Sequence, residues 1–240
     1  NNTGLYGLDD RVKDAAAITM KGGSLFFHGR AGAYSQETVG IVSLDSGTST
    51  ISSTTSSNAA LFEGATLTLS GLTRSAANGA TISFSQNYTG TSAGNLGLLV
   101  DGATSGRSQN ILVTGGLTLT NNIVGPWAVV GGYFNTSPLE LASYNSALGI
   151  GGLNLTGYAG YDGNILPVSS NASGNYRITA SAAIPAGGLT LNTLNAVTTV
   201  ASYLVLSSLR FPGVAGDAAS AALYVSNVRF AANAIDYLGA

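Results

Sequence analysis

A Gly-Gly pair followed by alternating Leu and polar residues recurs along the chain, and it limits the available folds more than any other feature. Gly115-Gly116-Leu117-Thr118-Leu119-Thr120 is followed 36 residues later by Gly151-Gly152-Leu153-Asn154-Leu155-Thr156. A further 36 residues on stands Gly187-Gly188-Leu189-Thr190-Leu191-Asn192. Gly22-Gly23-Ser24-Leu25-Phe26-Phe27 is an early variant, and the segments beginning at Gly64-Ala65 and Gly79-Ala80 are looser copies. Strict alternation is the mark of a half-buried strand, and glycine supplies the positive φ of a tight corner. A fixed period on this scale predicts a solenoid, because one short coil cannot bury its inner face alone. The expected fold is therefore all-β, a parallel β-solenoid (right-handed β-helix) with short loop excursions, its 36-residue step covering two coils. A β-sandwich or jelly roll is the alternative, and the period disfavours it.

Taken in order, the chain alternates at Ile18, Met20, Leu25 and Phe27, and again over Thr38–Leu44. Residues 47–53 predict a weaker strand on a polar surface. Short strands are expected over 65–69, 80–84, 96–100 and 111–113, separated by Gly or Asn turns. Two stretches interrupt this rhythm: 122–138, with the sole Trp127 beside Tyr133 and Phe134, and 158–167, with Tyr161, Asp162 and Gly163. Both predict loops, and Trp127, Tyr133 and Phe134 form a candidate surface aromatic contact. Residues 1–240 are expected to form one solenoid unit, with 86–203 as continuing coils and 204–240 as a terminal coil or assembly segment.

Only 8% of residues are charged, against about 25% in typical globular domains. Ser, Thr, Asn and backbone must supply the polar surface, and little charge repels a neighbouring copy. The net charge of −2 and the scatter of nine Lys and Arg leave no electrostatic footprint for nucleic acid. Cysteine is absent; a cytosolic protein can lack it, and so can a bacterial protein exported unfolded, for which stray disulfides would be a hazard. No apolar run reaches the length of a membrane-spanning helix, so no membrane span is expected. The chain begins at Asn1 rather than Met, which reads as a mature product or an excerpt.

Asp10-Arg11-Val12-Lys13-Asp14, Ala17-Ile18-Thr19-Met20-Lys21-Gly22-Gly23-Ser24-Leu25 and Gln36-Glu37-Thr38-Val39-Gly40-Ile41-Val42-Ser43-Leu44 follow one another in the opening stretch. In sequence and order they resemble the D-R-[IV]-x-[DN], V-T-L-x-G-G-T-L and S-E-T-V-G-x-V-x-L pieces of the autotransporter-associated β-strand repeat proteins. Leu72-Thr73-Arg74-Ser75 is similar to a later L-x-R-S piece. The likeness is good over residues 1–85, chiefly from Leu8, and thematic beyond. It implies a parallel β-helix displayed at, or secreted from, a bacterial cell surface. Met20 and Phe26 depart from the family's commoner residues, and the tail does not resemble an outer-membrane barrel.

The residues offer little catalytic chemistry. Asp9, Asp10 and Asp14 cluster, but beside Arg11 and Lys13, and Asp10, Arg11, Lys13 and Asp14 are expected to form a salt-bridged structural turn. Asp45, Glu63, Asp101, Asp162 and Asp217 stand beside Gly or Ser, as turn residues do. His28 is the only histidine, so no His-based metal site or nucleophile relay has a second member. Asp101-Gly102 and Asp162-Gly163 lack the flanking oxygens of a Ca²⁺ loop. We expect no enzymatic activity, no cofactor and no metal. The expected function is structural: an extracellular β-solenoid forming part of a bacterial surface fibre or adhesin. Its expected partner is itself, in a head-to-tail homopolymer or as tandem units. The assembly ends are Ile18, Met20, Leu25 and Phe27 at one end and Tyr224, Val225, Val228 and Phe230 at the other. The competing reading is a carbohydrate-binding or carbohydrate-cleaving β-helix, with surface glycans as partners.

Overall fold

In a computed structural model of the chain, the described residues are 11–30, 34–54, 63–85, 107–131, 139–180, 182–185, 188–205, 209–210 and 222–231. Side chains are described for these except 63, 107–108, 197–205, 209–210 and 222–231. Among the described residues the regular structure is β-strand with one short 3-10 turn, Ala76–Asn78. The chain divides into two compact units, Asn1–Val124 with Ala128–Ala159, and Gly125–Trp127 with Gly160–Ala240.

In the first unit the chain alternates between two sheets. β1 (Ile18–Met20), β3 (Tyr34–Leu44), β5 (Glu63–Arg74) and β7 (Arg107–Val113) form one sheet, in that order and all parallel. β2 (Gly23–His28), β4 (Thr48–Thr54), β6 (Thr81–Ser85) and β8 (Ala128–Val130) lie side by side, again parallel, in the other. Ile18 pairs with Val42, Tyr34 with Gly64 and Glu63 with Arg107, so the circuits measure 24, 30 and 44 residues. In the second sheet Gly23 pairs with Ser49, Thr48 with Thr81 and Ile82 with Ala128.

The core lies on the inward-facing columns of both sheets. Val39, Leu69 and Val113 stand abreast in the first, all at most 4% exposed. Ile51 and Phe84, fully buried, stand abreast in the second, with Leu25 before them and Val130 after. Each fully buried side chain of this size contributes about 1.5–3 kcal/mol. Every passage from the first sheet to the second turns on glycine with positive φ: Gly22 and Gly23, Gly47, Gly79, then Gly115 and Gly116. At Gly47 an added Cβ would meet the Gly22 nitrogen only at ordinary contact distance, 3.4 Å, so the φ of +66° is what calls for glycine.

Three expectations about this unit change. No pairing step is 36 residues, because the passages between sheets differ in length from circuit to circuit. Gly151-Gly152 is no corner: it lies within a strand, and neither residue has positive φ. The polar strand over 47–53 is also not a surface strand. β4 pairs on both sides, and Ser49, Ser52, Ser53 and Thr54 are each at most 1% exposed.

After β8 the direction reverses. β9 (Glu140–Asn145) is antiparallel to β8, and β10 (Gly149–Gly152) is antiparallel to β9. Asn145 closes the β9–β10 hairpin, its Oδ1 accepting the N–H of Ala147 at 2.8 Å and of Leu148 at 3.1 Å. A second tight turn precedes β8: Asn121 and Asn122 both have positive φ between the mutually bonded Thr120 and Ile123.

The second unit contains β11 (Asn171–Ile178), β12 (Ala182–Ala183), β13 (Leu189–Val205), β14 (Leu209–Arg210) and β15 (Ala222–Ala231). All pair in parallel with β13. Tyr176 pairs with Leu194 and Leu194 with Leu223, steps of 18 and 29 residues. Leu166, Tyr176, Ile178, Ile184, Leu189, Leu191, Leu194 and Ala196 form its core. Residues 153–170 hold turns and one isolated bridge, Gly163 to Tyr176. No helix among the described residues is long and apolar enough to cross a membrane.

Candidate functional site

Strand edges are the reactive feature of a fold like this, since an unpaired edge offers N–H and C=O groups to another strand. Among the described residues β1 and β2 each pair on one side only, with β3 and β4. The predicted end residues Ile18 and Met20 lie on β1, and Leu25 and Phe27 on β2, so the fold brings the two pairs to the same end of the first unit. Their side chains turn inward: Met20 is 6% and Phe27 5% exposed, while Ile18 and Leu25 are half-buried. An incoming strand would therefore meet backbone flanked by the exposed side chains of Thr19, Ser24 and Phe26.

At the other predicted end, Tyr224, Val225, Val228 and Phe230 lie on β15. They stand opposite Asn195, Ala196, Ser202 and Leu204 of β13, and among the described residues β15 pairs with β13 alone.

The opening turn carries Arg11, Lys13 and Asp14, all exposed; Asp10 lies outside the described residues. The turn closes through Ala16 N–H to Lys13 O at 2.7 Å. What holds it against the sheet is Glu37, which the sequence reading did not single out. The Glu37 Oε2 accepts the Arg11 N–H at 3.2 Å, and its Oε1 accepts the Val12 N–H at 3.3 Å. Glu37 stands in the inward column beside Leu67, and Leu67 beside Ile111, so its carboxylate finishes that column where β1 no longer covers β3. Gly40 completes the junction, donating its N–H to Ala16 O at 3.0 Å. Glu37 and Gly40 sit three residues apart in the E-T-V-G piece, and that spacing was the available signal.

Trp127 is half-buried and folds onto its own neighbour, an added Cβ on Gly125 standing 2.2 Å from its ring nitrogen. Tyr133 and Phe134 lie outside the described residues.

Asp45 and Asp162 have local work. Asp45 pairs with Lys21 at 3.5 Å and accepts from Asn78 Nδ2 at 3.5 Å, tying three successive corners. Asp162 accepts the Asn175 N–H at 2.7 Å, and the Asn175 Oδ1 in turn accepts Asn192 Nδ2 and Thr193 Oγ1 at 2.7 and 2.8 Å. No three His, Cys, Asp or Glu come together among the described residues. His28 lies 6.1 Å from Phe26, ring to ring, and burial holds its pKa below the ordinary value. Burial, and then the neighbouring Tyr144, push the Tyr158 hydroxyl far up, so it stays protonated and donates to Gly149 O at 3.0 Å.

No protein-family model, no curated protein and no solved structure matches this chain. The open strand edges among the described residues offer backbone pairing of strand against strand.

Proposed function

We propose that the chain is a β-solenoid segment of an extracellular bacterial surface fibre or adhesin, built by head-to-tail stacking of units. The observation that carries this reading is the alternation of β1 to β8 between two parallel sheets, with no α-helix among the described residues of the connections. Parallel strands elsewhere need a crossover, usually a helix, whereas sandwiches and jelly rolls are antiparallel. A winding of this kind meets the parallel rule by circling its own core. Parallel crossovers are right-handed in nearly all folds, which supports a right-handed β-helix. The low charge and absent cysteine fit export and self-contact. Strands β1 and β2 of the first unit and β15 of the second supply the edges for a heterologous contact.

Electron microscopy and fibre diffraction of the purified chain test this. The expected result is filaments with a reflection near 4.8 Å along the fibre axis, lost when Leu223–Ala240 is deleted while far-UV circular dichroism stays β-rich. Filaments of unchanged length from the deletion, or a reflection across the axis, would overturn it.

A further inference from the structure

Strand β7 is the last of its sheet, and no strand pairs with its outer side among the described residues. Successive residues of a strand point their N–H and C=O groups to opposite sides. Thr114 donates to Leu69 O, so Leu112 and Asn110 face β5 in the same sense, and Ile111 and Val113 face away. Those outward groups are covered by the β9–β10 hairpin. The Tyr144 hydroxyl accepts the Val113 N–H at 3.3 Å and donates to Val113 O at 3.0 Å, an oxygen that also accepts the Gly116 N–H at 2.8 Å. Gly149 lies so close over the edge that an added Cβ would stand 2.3 Å from Ile111 O. Asn110 Nδ2 donates to Leu148 O at 2.8 Å.

The hairpin also closes the core beneath it. Leu141, Ala142, Ile150 and Leu153 are all at most 1% exposed. Ser143 Oγ donates to Asn122 O at 2.8 Å and Val124 N–H to Ala142 O at 2.8 Å, anchoring β9 on its other side. Stacked repeats need such a cover, because the last circuit otherwise exposes both its core and its edge.

We infer that the β9–β10 hairpin is a built-in stop that occupies the β7 edge and keeps a second copy of this chain from adding a strand there. The inference rests on the stacked reading of the two sheets. It goes further in assigning polarity: among the described residues the first sheet is sealed at β7 and open at β1. A hairpin lifted from this edge frees Ile111 and the Val113 N–H, the Val113 carbonyl keeping the Gly116 N–H at 2.8 Å, and the occupant is an edge strand of another copy.

Amide hydrogen exchange at Val113, measured on the full chain at low and high concentration, decides it. In the unaltered chain Val113 is protected equally at both, whether or not filaments form through other edges. Gly149→Val drives a side chain into Ile111 O, and Tyr144→Phe removes only the capping hydroxyl and serves if the first variant unfolds. Either variant is expected to exchange Val113 at least about tenfold faster when dilute, and to regain protection at high concentration together with a larger mass in sedimentation. Fast exchange at both concentrations overturns the stop, as does a rise in mass that leaves Val113 unprotected. Unchanged exchange overturns it too, since the hairpin would then not lie on that edge. Failure of the filament reading appears separately, in the unaltered chain.

Discussion

Glu37 holds Arg11 by its backbone. The carboxylate accepts the N–H groups of Arg11 and Val12, at 3.2 and 3.3 Å, from a position only 8% exposed. A buried carboxylate is costly unless hydrogen-bonded, so this acid and this turn depend on each other. Glu37→Ala is expected to destabilise the first unit by about 2 kcal/mol, and Glu37→Gln, which keeps one acceptor, by about half that. The midpoint of urea unfolding checks both. Equal midpoints for all three proteins would show that the turn is held by other groups.

Gly40 and Gly79 separate two reasons for glycine. An added Cβ at Gly40 would stand 2.5 Å from Ala16 O, whereas at Gly79 it meets open space but must accept a φ of +64°. Gly40→Ala therefore pushes the opening turn off β3 and is expected to cost about 3 kcal/mol. Gly79→Ala pays only left-handed strain, about 1 kcal/mol. Thermal unfolding of the two variants should rank them in that order.

Gly151 and Tyr158 form a matched pair. The Tyr158 ring fills the space a Cβ on Gly151 would need, its nearest atom 2.4 Å away. Gly151→Ala alone is expected to be strongly destabilising, and much less so in a Tyr158→Ser background. A double-mutant cycle should give a coupling of about 1–3 kcal/mol. Additive effects would mean that the ring moves aside freely.

Ser52 and Ser85 pair in register on β4 and β6, and their hydroxyls are buried with no hydrogen-bond partner among the described residues. Such groups lose water without compensation. Ser52→Ala and Ser85→Ala should each raise stability by about 1 kcal/mol or less, read as an upward shift of the urea midpoint. A fall in the midpoint would show that the hydroxyls are satisfied after all.

His28 should give the fold a one-sided pH dependence. Its folded pKa lies below the ordinary 6.5, chiefly through burial. The unfolded chain therefore takes up the proton first as pH falls. The stability tied to a neutral His28 is complete above 6.5 and is lost as pH drops through that value towards the folded pKa. Melting temperatures between pH 7.5 and 5.5, a window about two units wide around the ordinary histidine pKa, should fall less for His28→Gln than for the unaltered chain. Parallel curves would remove His28 as the cause.

Local information carried much of the fold. Period-2 alternation marked β1 to β7 and the start of β13, and glycine corners marked the passages between sheets, because both are set by a few adjacent residues. The strand expected over 96–100 lies outside the described residues. β9 and β11 were not legible, since Glu140–Asn145 and Asn171–Ile178 lack clean alternation and owe their strand form to neighbours.

Which edge pairs with which was a matter for the whole structure. The same Gly-Gly motif turns a corner at Gly115-Gly116 and makes room for Tyr158 and Glu140 at Gly151-Gly152. Its 36-residue spacing matched no ladder. The sequence by itself determined that this chain makes strands and where the first seven of them turn, because backbone sterics and apolar alternation act over neighbouring residues. Only the tertiary structure decided that Glu37 fastens the opening turn and that Tyr144 seals Val113. Those contacts join residues 25–31 positions apart, and their energy exists only once the sheets have brought them together.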